Sequence, residues 1–340
     1  MAPATIDPGP GPFQDVTPTE AERLLAAGAL VLDVRTAREH EDLGHVPGAL
    51  LLPVELVASA PAVLPEGRPV LVVCEHGRRS RRAAALLAEA GVDSVHNVTG
   101  GMSSWTGPRE FGPGPITGPS SWLLSNALSA PRFARTLDVA CGRGRHALFL
   151  ASAGYPVRAI DRDPERIEKL GRVARRLHLP IDTAVVDLEK GGAEAGSDGP
   201  LLGEEEWEMI LVFNYLHRPL FPALVRALRP GGVLVYETFM RHEGARGGPT
   251  SPDHLLEPGE LPGLVAPLAV VRRREGEFDG RYVASVLARK SSLPPRKTAA
   301  SHARDAARVA PTPRTQRRPA ARAKPPSRGT GKRTPGARKR

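Results

Sequence analysis

The sequence predicts an α/β protein, with two parallel-sheet units in tandem, an antiparallel hairpin closing the second, and a basic tail. Three observations predict it. Short apolar runs, the pattern of strands buried on both faces of a parallel sheet, alternate twice with helical segments. A Pro- and Gly-rich stretch at 107–120, GPREFGPGPITGPS, separates the two alternations. Near the end, Phe278-Asp279-Gly280 between two β-rich runs is a hairpin signal.

Taken in order, residues 1–12 are Pro- and Gly-rich without periodicity and read as a disordered arm. Thr17-Pro18-Thr19-Glu20 opens a helix, with Thr17 as N-cap, Pro18 at the first helical position and Glu20 at the capping-box position. Ala29–Val34 and Pro69–Val73 read as strands, and Ser80–Ala90 as a helix stopped by Gly91. The first folded unit is thus expected over 13–106 and the linker over 107–120. In the second unit, 121–290, the expected strands are Thr136–Ala140, Val157–Ile160, Ile181–Val186, Met209–Phe213 and Gly232–Thr238. Leu268–Arg273 and Tyr282–Leu287 form the hairpin. This order fits a doubly wound sheet with an antiparallel finish.

The net charge of +10 resides at one end. Residues 291–340 carry 15 Lys and Arg against one acid, Asp305, leaving 32 basic and 36 acidic side chains in the rest of the chain. The body is therefore mildly acidic. The tail has too few large apolar residues for a core and is expected to be disordered. It offers electrostatic attraction to nucleic acid, but has no aromatic side chain for base stacking, so nucleic acid is not the favoured partner. Two cysteines exclude a disulfide framework and a four-thiolate zinc site, and the ten His lack ligand spacing, so no metal is expected. No apolar run approaches the ~20 residues that span a bilayer, and no secretory signal is visible, which reads as a cytoplasmic protein without a membrane partner.

The first chemical site is Cys74-Glu75-His76-Gly77-Arg78-Arg79-Ser80, which follows a strand and leads into a helix. A thiolate there is favoured by inward N–H groups, the helix dipole and the two arginines, and the loop forms an anion cradle. The loop resembles the active loop of the rhodanese family. Leu32-Asp33-Val34-Arg35, Glu39, Gly44-His45-Val46-Pro47-Gly48-Ala49, Gly100-Gly101-Met102 and Trp105 extend the resemblance over 13–106. It implies a small parallel-sheet domain in which Cys74 carries sulfur as a persulfide, taken from a donor such as thiosulfate or another persulfide. Glu75, His76, Gly77, Arg78 and Ser80 would form the cradle, and Arg79 occupies the family's basic position. Asp33 and Arg35 read as a scaffold ion pair. Glu75 puts an acid beside the nucleophile, where it would repel anionic donors if it faced the cradle. Cysteine phosphatases place an arginine six positions after the cysteine. Position 80 is Ser, so phosphate chemistry is set aside.

The second site is Leu137-Asp138-Val139-Ala140-Cys141-Gly142-Arg143-Gly144-Arg145-His146, a glycine turn between strand and helix. The next strand ends at Asp161, where an acid can accept from ribose hydroxyls, and the third ends at Asp187-Leu188, beside an adenine edge. The spacing lacks the third glycine of dinucleotide sites and the Lys of a P-loop. The set resembles class I S-adenosylmethionine-dependent methyltransferases, and within them the tellurite-resistance methyltransferases. That implies a Rossmann-like domain with S-adenosyl-L-methionine as cofactor, bound by Asp138, Ala140, Gly142, Gly144, Asp161, Asp187, Leu188 and Phe213. Ala140 stands where the family usually has glycine. Cys141 reads as a packed residue beside the cofactor. Leu228-Arg229-Pro230-Gly231-Gly232 is the family's usual lead-in to the fifth strand.

Phe213-Asn214-Tyr215-Leu216-His217-Arg218-Pro219 follows the fourth strand, where Tyr215 and His217 are candidates to orient or deprotonate an acceptor. Glu237 and the loop Arg241–Pro252 are expected to line or cover the pocket. The motif of amino-DNA methyltransferases is absent, so a small-molecule acceptor is expected. The sequence thus reads as a bifunctional enzyme, a methyltransferase with a sulfurtransferase. Its alternatives are a methyltransferase with a non-catalytic rhodanese-like module, or an RNA-modifying methyltransferase using the tail.

Overall fold

In the computed structural model, residues 13–114, 116–190, 202–243 and 248–292 are described. The readings of 1–12 as an arm and of the tail from 293 onward, and the centre of the 241–252 loop, lie outside them. The first sheet consists of β1 (Gln14–Val16), β2 (Leu30–Asp33), β3 (Leu50–Leu51), β4 (Val70–Val73) and β5 (Val95–Val98), all parallel in the order β1-β5-β4-β2-β3. Alternate residues of β4 feed opposite cores: Val70 and Val72 pack with Leu32 and Leu87, whereas Leu71 and Val73 pack with Val31 and Trp105. Both faces are apolar because parallel strands need crossovers that cover both sides. Helices α1 (Pro18–Ala26), α2 (Ala37–Asp42), α3 (Ala60–Val63) and α4 (Arg78–Ala90) supply them.

The capping box at α1 forms as expected: the Glu20 N–H donates to Thr17 Oγ1 at 3.3 Å and the Thr17 N–H to Glu20 Oε2 at 2.7 Å. A second box, Thr36 with Glu39, opens α2. Helix α4 starts at Arg78, two residues ahead of the expected Ser80, because Gly77 takes φ +83° and turns the chain into the helix early. Three strands lacked a readable run. β1 and β3 are three and two residues long, and β5 carries His96 and Asn97, so only pairing with neighbours identifies them as strands.

The second sheet consists of β6 (Thr136–Val139), β7 (Val157–Asp161), β8 (Ile181–Val185), β9 (Trp207–Phe213), β10 (Leu228–Phe239), β11 (Ala269–Phe278) and β12 (Arg281–Arg289), in the order β11-β12-β10-β9-β6-β7-β8. Only β12 runs antiparallel, against β10 and β11. Its hairpin turn places Asp279 at φ +50° and Gly280 at φ +70°, the two left-handed residues a type I′ turn requires. The strand order reverses at β6, whose parallel neighbours are β7 on one side and β9 on the other, so a crevice opens above the end of β6. Helices α5 (Ser121–Asn126), α6 (Arg145–Ser152), α7 (Pro164–Arg176), α8 (Phe221–Ala227) and α9 (Leu261–Leu264) complete this part.

The 107–120 segment, expected as a linker too poor in apolar area to fold, is laid down as a strap on the first sheet. Glu110 and His45 exchange two backbone hydrogen bonds at 2.9 Å, and the Thr117 N–H donates to the Leu51 carbonyl at 2.7 Å. Its glycines permit this closeness: a Cβ on Gly114 would lie 2.7 Å from His40 Nε2, and one on Gly118 2.8 Å from Leu52. Among the described residues no helix is long and apolar enough to cross a membrane, and no cluster of His, Cys, Asp and Glu is arranged to hold a metal.

Candidate functional sites

At the top of β4, Cys74 is buried, with its Sγ 3.3 Å from the Ser80 hydroxyl. Ser80 donates onward to Asn97 Oδ1 at 2.7 Å, and Asn97 Nδ2 donates to Asp15 at 2.7 Å. The first bond of the following turn runs from the Arg81 N–H to the Gly77 carbonyl, so the N–H groups of Arg78, Arg79 and Ser80 precede any helical acceptor. These groups and the positive end of α4 make the loop an anion-binding turn.

Glu75 does not confront this cradle unpaired. The guanidinium of fully buried Arg35 binds it at 2.8 Å, holds Asp33 at 2.8 Å and donates to the Gly44 carbonyl at 2.8 Å. The Asp33–Arg35 ion pair read from the sequence is therefore present and reaches across to the active loop. Arg79 forks onto Glu39, which pushes the Glu39 carboxyl down to about 2 and holds the Arg79 guanidinium above its ordinary value. His76 Nδ1 lies 3.2 Å from Ser103 Oγ, and Arg78 is exposed.

The closing Gly100-Gly101-Met102 segment supports the loop from below: the Met102 N–H donates to the Cys74 carbonyl at 2.8 Å and the Ser103 N–H to the Glu75 carbonyl at 2.9 Å. Gly101 takes φ +60°, and a Cβ there would sit 2.1 Å from the Cys74 carbonyl oxygen. Gly101→Ala is expected to destabilise the protein by about 3 kcal/mol, from left-handed strain plus displacement of the loop. Thermal unfolding beside wild type measures this, and an unchanged melting temperature would refute the packing argument.

Above the end of β6 lies a cavity of about 520 Å³. It brings together Asp138, Ala140, Gly142, Asp161, Asp187, Leu188, Phe213 and Tyr215 from four separate stretches of sequence. Ala140 takes φ +53°, a backbone conformation that favours glycine, which accounts for the glycine usual at this place in the resembling family. Asp161 accepts from the Gly142 N–H at 2.7 Å and the Asp163 N–H at 3.0 Å, tying the turn to the end of β7. Asp187 accepts from the N–H groups of Glu189 and Lys190, which pull its carboxyl below the usual value. Cys141 lines the cavity but is buried, and burial pushes its thiol well up, so it is a packing residue.

Three expected residues do not line this cavity. Gly144, at φ +82°, is used for packing: a Cβ would strike Leu170 on α7 at 2.5 Å. His217 caps the short turn at Arg218–Leu220. Glu237, a candidate acceptor residue, is an internal structural acid. It accepts from Ser120 and Ser285 at 2.6 Å and from Arg274 at 2.8 Å. It lies on the β10 face that meets α5 and the hairpin, a placement that depends on the pairing of distant strands.

The structure adds two residues that carried no assigned role, Arg145 and His146, both on the cavity wall. His146 packs at a tilt against Phe213, 4.1 Å between ring centroids, and its burial keeps the ring neutral. Three buried polar atoms of this wall, Asp138 Oδ2, Arg145 Nη2 and Tyr215 Oη, have no hydrogen-bond partner within the protein. Unpaired buried polar atoms are costly, and a polar ligand in the cavity would satisfy them.

Asp138 is fully buried, and desolvation raises its carboxyl to about 7 against the partial opposition of the Ala147 N–H and Arg145. The folded protein therefore holds a proton that the unfolded chain, at an ordinary 3.8, has released. Stability falls as pH rises through that window. In ligand-free Asp138→Asn the loss of melting temperature between about pH 5 and pH 8 should be smaller than in wild type. Equal losses would contradict the assignment.

The family model of the rhodanese-like domain matches residues 17–108, and that of the tellurite resistance protein TehB matches residues 124–201. The thiosulfate sulfurtransferase GlpE of Pseudomonas savastanoi pv. phaseolicola (strain 1448A / Race 6) is 34% identical over 93 residues, 27% of this chain and 87% of that protein. GlpE of Pseudomonas entomophila (strain L48) is 37% identical over 93 residues, 27% and 84% of the two chains. The putative sulfur carrier protein YrkF of Bacillus subtilis (strain 168) is 38% identical over 80 residues, 24% and 43% of the two chains. The crystal structure of TehB from Haemophilus influenzae superimposes with a TM-score of 0.40 at 18% identity, covering 50% of this chain and 61%, less than two thirds, of that one.

Proposed function

The chain belongs to the rhodanese family through residues 17–108 and carries a TehB-like methyltransferase domain behind it, and on that premise we propose that one molecule performs both sulfur transfer and methyl transfer. In the first reaction the Cys74 thiolate attacks the outer sulfur of thiosulfate. The sulfur–sulfur bond breaks, sulfite leaves with its electron pair, and Cys74 is left as a persulfide. A nucleophilic acceptor then takes that sulfur and returns the thiolate. The first N–H groups of α4, those of Arg78, Arg79 and Ser80, hold the anionic donor. The bond from Arg35 to Glu75 supports an anionic donor by offsetting the one acid in the loop.

The second reaction uses S-adenosyl-L-methionine and a small-molecule acceptor. The observation that carries it is the set of three unpaired polar atoms in one 520 Å³ cavity, within the ordinary range of ligand sites. Arg145 would suit the carboxylate of the cofactor's amino-acid end and Asp138 its ammonium group, while Asp161 would accept from the ribose hydroxyls and Asp187 with Leu188 would border the adenine. When bound, the cofactor supplies an electrophilic methyl group. Tyr215, whose burial pushes its hydroxyl well above the usual phenol value, remains a protonated donor and orients the acceptor rather than deprotonating it. Calorimetric titration of the full chain with S-adenosylhomocysteine tests this reading. Saturable one-to-one binding supports it, and no heat at millimolar ligand would end it.

A further inference from the structure

The glycine turn of the cavity is held from outside its own domain. Gly142 and Gly144 both take left-handed conformations, at φ +58° and +82°, so the turn contributes little stiffness itself. Arg143 between them donates through Nη2 to the Pro61 carbonyl at 3.0 Å and to Glu66 Oε1 at 3.3 Å. Arg145 donates through Nη1 to the Gly118 carbonyl at 3.2 Å, and His146 Nε2 accepts from the Ser120 N–H at 3.2 Å. Pro61 and Glu66 belong to the rhodanese-like domain, and Gly118 and Ser120 to its strap. Ala62 of α3 lines the cavity and packs in the core beneath the second sheet with Leu148 and Leu170. Glu66 also binds Lys169 on α7 at 3.1 Å.

We propose that the rhodanese-like domain is a wall of the cofactor site: its 60–66 segment and the strap position the 142–146 turn, so cofactor affinity depends on Pro61 and Glu66, which do not line the cavity. The inference rests on the methyltransferase reading above. Its physical reason is preorganisation. A glycine turn free to move must be ordered when ligand binds, and the clamps on Arg143, Arg145 and His146 order it beforehand. A half-exposed ion pair contributes little on its own. Here the Arg143–Glu66 pair acts together with the Pro61 carbonyl to fix one side chain in one place. Glu66 is thus a positioning residue acting through Arg143.

The test uses the full chain and S-adenosylhomocysteine, with wild type, Glu66→Ala, Glu66→Gln, Arg143→Met and the double variant Glu66→Ala/Arg143→Met. Glu66→Ala should weaken binding roughly fivefold. Glu66→Gln, which keeps an acceptor for Arg143, should recover part of that. The double variant should lose no more than Arg143→Met alone, since both changes break the Arg143–Glu66 pair through which Glu66 acts on the turn. Without ligand, the amides of 141–146 should exchange faster in Glu66→Ala, while persulfide loading at Cys74 stays at the wild-type level. Unchanged affinity and exchange in Glu66→Ala, or additive losses in the double variant, overturn the proposal. If wild type itself binds no S-adenosylhomocysteine, the cofactor reading fails separately, and exchange at the turn alone decides whether Glu66 positions it.

Discussion

Incubated with thiosulfate, the wild-type chain is expected to gain the mass of one sulfur atom, and Cys74→Ser to gain none. Cyanide should then strip the added sulfur from wild type. The difference is all-or-none because a hydroxyl has neither the acidity nor the polarisability to take and release a sulfane sulfur. Ser80 Oγ lies 3.3 Å from Cys74 Sγ, but its proton is committed to Asn97, so Ser80 cannot substitute for the lost nucleophile. Cys141 is the natural control: it is buried beside the second cavity with its thiol pushed up, and Cys141→Ala should load sulfur as wild type does. Loading that persists in Cys74→Ser but disappears in Cys141→Ala would move the chemistry to the other site.

Asp161→Ala should weaken S-adenosylhomocysteine binding by about 100-fold, with the folded structure retained. Two losses combine. The ligand's ribose loses a charged acceptor, and the Gly142 N–H loses its 2.7 Å partner, which loosens the turn that the ligand must meet. Hydrogen bonds to charged groups are worth about 1.5–3 kcal/mol each, and about 2.7 kcal/mol corresponds to that factor. Asp161→Asn keeps one oxygen acceptor and should lose less. Calorimetry on the three proteins, with circular dichroism to establish folding, measures the series. Equal affinities in all three would remove Asp161 from the site.

Much of both sites was legible because local chemistry creates them. The Cys74–Ser80 loop, the glycine turn at 142–144 and the acids at the ends of β7 and β8 each lie within a few residues of a strand end, so the strand pattern also locates them. What was not legible has a common cause. Glu237 sits on a strand where an acid in a sheet crevice and an acid in a sheet core look alike in sequence. Its partners Ser120, Arg274 and Ser285 are 117, 37 and 48 residues away and decide which it is. Arg145 and His146 were visible as letters in the motif. Their role depends on which helix face looks into the cavity and on what the strap takes up.

The sequence by itself determined the two α/β alternations, the parallel strands read from apolar runs, the N-terminal cap of α1, the hairpin turn and the candidate nucleophile. Each follows from the conformational preference or chemistry of a few adjacent residues. Only the tertiary structure decided that Glu75 is paired with Arg35, 40 residues earlier, and that residues 107–114 and 116–120 form a strap. It also decided that the glycine turn is clamped by Pro61 and Glu66, 82 and 77 residues before Arg143. Ion pairs and backbone bonds between distant segments have no local signature, because either partner is satisfied equally well by water until folding removes it.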